Sequence, residues 1–436
     1  MMKRPGDGAR SRTEEKGMSR RSFLERSTDS VAGAIAAAGG LSGLMNPGRA
    51  YPAGKTDKVR LAVVGGGFGS RFYWHLHPNC EVTAVTDLRP DRREILRRTY
   101  KCDNVYDSLE QMIKKEKNVD AVAIFTEAIN HARHVKMSME NGWHVICAVP
   151  ACFTVEEAET LKEVKERTGL RYMMAETSYY RQPCIFARNL YEQGGLGEVF
   201  YSELEYYHDR GDLDRLVSNK NTRFYTPDGA KSWRWGYPPL HYPTHCLGLL
   251  VGVTGERIVK VSAQGWGQEH PFLNHNQYDN PFWNEASMMQ TDRGHMTRCN
   301  VFWLVAAHGE RAQWFGDEAT LYMPKGGLHE EGLFFRTNKH GGDRYDLPTQ
   351  KDGRLDIPEY WKNADMLPPA MRRPSGHGGS HTFLTAEFIN ALVEDREPAI
   401  PFYDSLAMTV PGIVAHQSAL KDGEDMKVPQ FEPEKT

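Results

Sequence analysis

Tyr242 and His245 stand three residues apart in His241–Gly255, HYPTHCLGLLVGVTG, a stretch that reads as the start of a helix. Side chains at i and i+3 share one helix face. Imidazole titrates near neutrality and moves protons in either direction. His245 is therefore the first candidate for general acid/base work, with Tyr242 beside it and Tyr180 as a second phenol. A core histidine bonded to a carbonyl would leave the same trace. His208, Asp209, Arg234, His241 and His377 are candidates for holding a polar substrate, and each reads equally well as a structural residue. No metal is expected, because the histidines lack ligand spacing such as H-x-E-x-H and no two cysteines form a C-x-x-C pair.

The elements that must position these groups begin with a nucleotide half. Val59–Val64 is an apolar, β-branched run that ends in Gly65-Gly66-Gly67-Phe68-Gly69-Ser70. A strand, a glycine turn and then a helix form the setting in which backbone approaches a pyrophosphate at a helix N-terminus. Gly65, Gly67, Phe68, Gly69 and Ser70 are thus the expected phosphate loop, with Ser70 in the third glycine position. The strand Glu81–Thr86 ends at Asp87, 22 residues beyond Gly65, where a carboxylate receives ribose hydroxyls and disfavours a 2′-phosphate. Arg89 and Arg92 nearby keep NADP open, so NAD is a preference. Further strands at 120–125, 143–149 and 170–175 alternate with helices near 107–116, 130–141 and 154–168. That alternation predicts a doubly wound parallel sheet over residues 55–178.

The second half, 179–420, reads differently. Residues 197–207 alternate apolar and polar, as do runs at 257–265, 297–305, 312–315 and 320–323, which predicts an α+β domain with a mainly antiparallel open sheet. The stretch 324–375 has little periodicity and reads as loops at the mouth of the site or at a subunit contact. Helices are expected at 379–394 and 404–420, and 421–436 reads as a tail.

Composition excludes little but excludes it clearly. The chain has 436 residues, a formal net charge of −3 and no run suited to nucleic acid or an anionic membrane. Its 9 Trp, 19 Tyr and 18 Phe suit sugar faces, or simply fill a large core. Ahead of the first strand, Ser19–Glu25 (SRRSFLE) precedes an Ala/Gly-rich apolar run, Val31–Met45, too short and weak to span a bilayer. Residues 1–54 therefore read as a twin-arginine export signal and linker, addressed to the Tat machinery and the periplasm. The seven cysteines sit mostly in apolar runs and are expected to be buried free thiols.

With VDAVAIFTEAINHARHVKMSMENGWHVICAVP (119–150) the chain resembles the glucose-fructose oxidoreductase, inositol dehydrogenase and MocA (Gfo/Idh/MocA) superfamily, over everything after residue 55. Thr126, Asn130 and His131 match its aTP-x-x-x-H pattern. Where that pattern continues E-K-P, this chain has Ala148-Val149-Pro150. The resemblance implies that Thr126, Asn130, His131, Val149 and Pro150 line the cofactor, and that His245 holds the catalytic histidine position. The V-P pair, Leu170–Tyr180, Gly197–Asp209, His241–Gly255 and Gly376–His381 resemble one branch, the NAD-dependent glycosidases of the α-N-acetylgalactosaminidase type. In that branch the residue before V-P is usually acidic; here it is Ala148.

An exported nicotinamide enzyme has no pool to reoxidise NADH, so tightly bound NAD returned to its starting state within each cycle is expected. A glycosidase of this branch works in that way, outside the two-carboxylate mechanism. Three readings stay open: redox-neutral cleavage of a carbohydrate, a sugar or polyol dehydrogenase, and a non-catalytic carbohydrate-binding homologue. An exposed sheet face would suit a homo-oligomer.

Overall fold

The computed structural model describes residues 58–209, 215, 217–267, 273–324 and 357–433, with 209 and the strands 332–337, 345–346 and 354–355 described by backbone alone. All of them lie in one unit, Met45–Thr436. The expected export signal lies outside the described residues.

The first sheet holds β1 (Val59–Val64), β2 (Cys80–Thr86), β3 (Val105–Tyr106), β4 (Ala121–Ile124), β5 (His144–Cys147) and β6 (Tyr172–Met174). All its pairs are parallel and its order is β3-β2-β1-β4-β5-β6, the dinucleotide-binding order with its switch point beside β1. Apart from Arg60, its central strands β1 and β4 are buried on both faces, which is why they are apolar runs rather than alternating ones. Four helices connect them: α1 (Pro90–Tyr100), α2 (Leu109–Lys115), α3 (His131–Glu140) and α4 (Val155–Thr168). The last opens on a capping box, Thr154 with Glu157, and closes on Gly169 at φ 64°.

The first crossover departs from expectation. No α-helix follows the glycine turn; two short 3-10 turns, Gly69–Arg71 and Trp74–Leu76, take its place. The cause is in the sequence, since Phe72 and Trp74 are driven fully into the core and Pro78 lies just beyond. No long helix N-terminus therefore faces the phosphate loop. Helix α1, which begins on Pro90, was not anticipated either.

The second sheet has ten strands: β7 (Val199–Asp209), β8 (Ile258–Trp266), β9 (Asn284–Thr291), β10 (Met296–Val305), β11 (Gly309–Gly316), β12 (Ala319–Tyr322), β13 (Gly332–Thr337), β14 (Tyr345–Asp346), β15 (Arg354–Leu355) and β16 (Met426–Lys427). It is antiparallel except at its centre, where β7 and β10 pair in parallel. Strands β13 to β15 extend it through the stretch read as loops, and the expected tail is pinned by β16 on β8. Helices α5 (Gln182–Glu192), α6 (Thr244–Thr254), α7 (Ser380–Val393) and α8 (Phe402–Ala419) complete the fold. Helix α8 lies on β8 and also touches β6 and α4, so it joins the two sheets.

Gly412 shows how tight that junction is. A Cβ there would lie 2.1 Å from the carbonyl oxygen of Leu240 and 2.4 Å from Pro243. Helix propensity alone favours alanine by about 1 kcal/mol. Overpacking against backbone costs about 1–3 kcal/mol. Gly412→Ala is expected to lower the midpoint of reversible urea unfolding; a raised midpoint would show that α8 is not wedged there.

Candidate active site

A cavity of about 1080 Å³ opens along the carboxyl ends of the first sheet and runs toward the second. Its cofactor side is built by loops that leave β1, β2, β4 and β5. Gly65 has φ +99° and no room for a side chain, because a Cβ would lie 2.3 Å from the Phe125 carbonyl oxygen. The Asp87 carboxylate accepts from Gly66 N at 2.7 Å and from Arg89 N at 2.8 Å, so it braces the glycine turn as well as facing the cavity. Thr126 Oγ1 meets His134 Nδ1 at 2.9 Å. The His131 ring reaches the carbonyls of Pro150 (2.8 Å) and Thr126 (3.3 Å), tying two loops of the wall together.

Among the expected residues, Gly65, Gly67, Phe68, Asp87, Thr126, Asn130, His131 and Val149 line this cavity, and so do His208, Arg234, Tyr242, His245 and His377. Others lie elsewhere. Gly69 packs on the Phe125 ring, the Ser70 hydroxyl is exposed, and Pro150 sits behind the wall. Tyr180 is buried with its ring stacked on Phe383, and His241 is buried between Phe153 and His416. The side chain of Asp209 lies outside the described residues.

A buried histidine–carboxylate cluster lies where β6, α6 and β11 meet. His245 Nδ1 is 2.8 Å from Glu176 Oε1, which also accepts from Ser178 N at 2.7 Å. Beside them, the Ser178 hydroxyl donates to Glu310 at 2.6 Å, and Arg181 grips both oxygens of Glu310 at 2.6 and 2.8 Å. Glu176, Glu310 and His245 are buried. Burial alone would lower the pKa of His245, yet the charge and hydrogen bond of Glu176, helped by Glu310, carry it above its ordinary value. Burial would raise Glu310, but Arg181 holds it down at about 2. The spacing of α6 makes this possible, because Cβ atoms at Gly248 and Gly252 would fall 2.8 Å from Glu176 and Tyr179. With Nδ1 committed to Glu176, Nε2 of His245 is left for the cavity.

A second histidine pair has the opposite character. His381 Nδ1 is 3.3 Å from the Arg71 carbonyl oxygen, which can only accept, so Nδ1 carries the proton. Nε2 of His381 is then the acceptor for His377 Nδ1 at 2.8 Å. The tautomers so assigned leave Nε2 of His377 as an acceptor. Burial lowers His377 to about 4 and His381 to about 3, so both are neutral at pH 7. His208 is likewise pushed down by burial, to about 3, and meets the Tyr206 hydroxyl at 2.9 Å. Tyr206, Tyr242 and Trp303 form an aromatic wall around His245.

Sequence reasoning did not single out Glu176, Ser178, Arg181, Tyr206, Arg223, Glu310 or His381 as site residues. For Glu176 a signal was present, since it lies two residues past the last parallel strand, where ligands of such sheets gather. Glu310 comes from a strand remote in sequence, and no local pattern marks it.

The fold and site define a two-domain dinucleotide-binding enzyme. The GFO_IDH_MocA family model, described as Oxidoreductase family, NAD-binding Rossmann fold, matches residues 59–176. A glycosyl hydrolase family 109 protein from Saccharopolyspora erythraea is 24% identical over 469 aligned residues, covering 98% of this chain and 96% of the relative. An α-N-acetylgalactosaminidase from Bacteroides fragilis is 29% identical over 203 residues, covering 44% of this chain and 47% of its own. Among solved structures, scyllo-inositol dehydrogenase from Lactobacillus casei, with NAD(H) and scyllo-inositol bound, has a TM-score of 0.63 at 16% identity and covers 85% of this chain and 99% of its own. A levoglucosan dehydrogenase complex with NADH and levoglucosan has 0.65 at 19%, covering 86% of this chain and 100% of its own. Residues 59–176 thus match the NAD-binding Rossmann domain of that family model, and the chain shares the two-sheet fold of these solved structures. Among the described residues no cluster of metal ligands occurs, and all seven cysteines are buried and free.

Glu176→Gln removes the charge that raises His245. The His245 pKa followed by NMR is expected to fall, and the acid limb of any activity that needs its free base to move to lower pH. A raised folded-state pKa stabilises most below the unfolded value of about 6.5 and is lost as pH rises through the folded pKa. The stability gap between wild type and variant should therefore narrow from pH 6 to pH 9, and a widening gap would contradict the pairing.

Proposed function

We propose that the protein cleaves a carbohydrate by a redox-neutral route through a 3-keto intermediate, with NAD kept bound and recycled. The observation that carries this reading is the cavity wall at Ala148-Val149. Where the dehydrogenases place a lysine beside the reacting hydroxyl, two small apolar side chains line the cavity, and the proton-handling groups are histidines instead.

The residues present fit the cofactor. The Gly65 turn, Asp87 for the ribose, and Arg71 and Arg92 at the same cavity for the pyrophosphate supply what a dinucleotide needs. When bound, NAD supplies a hydride acceptor that gives the hydride back. The chain supplies the proton transfers. The neutral Nε2 of His377 receives the proton of the sugar hydroxyl as its C–H is oxidised. The ketone formed at C3 acidifies C2–H, whose proton passes to His245 Nε2 while the C1–O bond breaks. His245, its pKa raised by Glu176, then returns that proton to C2 as the water oxygen bonds to C1 and the water's remaining proton goes to the departing alkoxide; with NAD bound to give the hydride back, His377 would return its proton to the C3 oxygen. No electrons are gained or lost over the cycle. Tyr242 and Tyr206 line the same space and position the ring.

We further propose export by the twin-arginine route, on Ser19–Glu25. Internal recycling suits a compartment without a nicotinamide pool, and export after folding suits seven buried free thiols. We also propose a homo-oligomer. On the outer face of the second sheet Glu205 is buried beneath Arg298 and Arg311, and Phe302 stacks on Tyr207. Sedimentation at micromolar concentration checks this, and a monomer would sink it.

The test of the main reading is leaving-group release from a panel of nitrophenyl glycosides, with no NAD added and nicotinamide absorbance followed. Release is expected without NADH build-up, with C2 deuterium incorporated from D2O. His245→Ala is expected to lower the rate by about 10²–10⁴-fold. Steady NADH formation from free sugars, with no release, would make the enzyme a dehydrogenase.

A further inference from the structure

Beyond the proton-handling centre, the cavity has an unbalanced charge at its substrate end. Of the cations that line it, Arg89 is paired with Asp91 and Arg133 with Glu110. Arg71 and Arg92 stand with the glycine loop, where a dinucleotide brings negative charge. Arg223 and Arg234 lie in the other domain and have no ion pair among the described residues, although both line the cavity.

Their surroundings make that costly unless something answers them. The Arg234 guanidinium lies 4.2 Å from the centre of the Trp233 ring, and burial, with Arg223 acting as a like charge, lowers its pKa. Both arginines push His208 down, and both act on Tyr206 in the opposite sense to burial, so the two share one corner with these residues. The carboxylate in the lining that acts on Arg234 is Glu127, whose own pKa burial raises and whose Oε2 is taken by Asn130. Glu176 and Glu310 are committed to His245 and Arg181. Ala148 and Val149 add no charge. Two unpaired guanidiniums facing one space suit a ligand with its own negative charge, since the guanidinium fork fits a carboxylate or sulfate with two hydrogen bonds.

We propose that the carbohydrate taken by this cavity is anionic, with a carboxylate or sulfate group received by Arg223 and Arg234. The inference rests on the carbohydrate reading above and narrows its substrate class. An acid group on the ring also fixes which way the sugar lies. It anchors one edge of the ring and leaves the C2 and C3 positions for His245 and His377.

The test is calorimetric binding to the NAD-loaded full chain. The ligands are the methyl glycosides of glucose and galactose, their uronic acid counterparts, and their 6-O-sulfates. At least one acidic ligand is expected to bind about 10- to 100-fold more tightly than its neutral counterpart, with the ratio falling as salt is raised. Preference for the uronates identifies the carboxylate as the group read, and preference for the 6-sulfates the sulfate. Arg223→Gln and Arg234→Gln are each expected to collapse that ratio toward one. If a glutamine variant fails to fold, the lysine variant, which keeps the charge and loses the fork, is expected to keep only part of it. Equal or tighter binding of the neutral sugars, no binding of any of them, or a ratio unmoved in folded Arg223→Gln and Arg234→Gln overturns the proposal. C2 deuterium exchange in the same samples reports on the cleavage route separately. Acid-selective binding without exchange would end that route and leave the anionic site standing.

Discussion

The contact on which the site depends is the buried Glu176–His245 pair, 2.8 Å apart beneath the cavity floor. A carboxylate taken out of water must be answered by hydrogen bonds or by opposite charge. Two carboxylates are buried here, Glu176 and Glu310, and the answer comes from His245, Arg181, the Ser178 hydroxyl and the Ser178 backbone. Those groups and the two carboxylates arrive from the segment after β6, from α6 and from β11. The cluster can form only if both domains dock correctly, so the chemistry and the domain junction share one constraint. Gly248 and Gly252 on α6 belong to it as much as the charged residues do, because they let the loop after β6 lie against the helix.

That constraint separates the two histidine systems. Carboxylates raise His245, while burial without a carboxylate partner keeps His377 and His381 neutral. Environments that push pairs of titratable groups apart assign acid and base roles within one site. The His377–His381 chain ends on the backbone of Arg71, beside the glycine turn. On the proposed reading, a residue that faces the sugar is thereby oriented by the loop that faces the dinucleotide. The glycine-turn segment and the His377 ring are thus mechanically linked.

Much of this was legible in the chain. Unbroken apolar strands alternating with helices prescribe a parallel sheet, and Asp87 after β2 falls where that sheet needs a carboxylate. The helix face shared by Tyr242 and His245 was readable from spacing alone. What was not legible followed from contacts distant in sequence. The first crossover loses its helix because Phe72 and Trp74 gain more by burial than the segment gains as a helix. The parallel pairing of β7 with β10 depends on a partner ninety-odd residues away. Strands β14 and β15 have two residues each and β13, GLFFRT, does not alternate, while Glu310 looks like any strand residue until Arg181 reaches it.

The neutral wall at Ala148-Val149 acquires its meaning from the same electrostatics. A lysine ammonium in this cavity would act on His245 as a like charge and lower its pKa, against the carboxylates beneath it. With valine there, Glu176 and Glu310 set the value, and His245 can take up a proton and hold it. A lysine suits a site that must draw a proton from an alcohol in a single oxidation. A histidine whose pKa is raised by a buried carboxylate suits a site that must remove a proton from carbon and put one back. On the proposed reading, the change at 149 and the burial of Glu176 are two halves of one adjustment. On the same reading, Arg223 and Arg234, which have no ion pair among the described residues, supply the positive charge that the wall at 148–149 lacks.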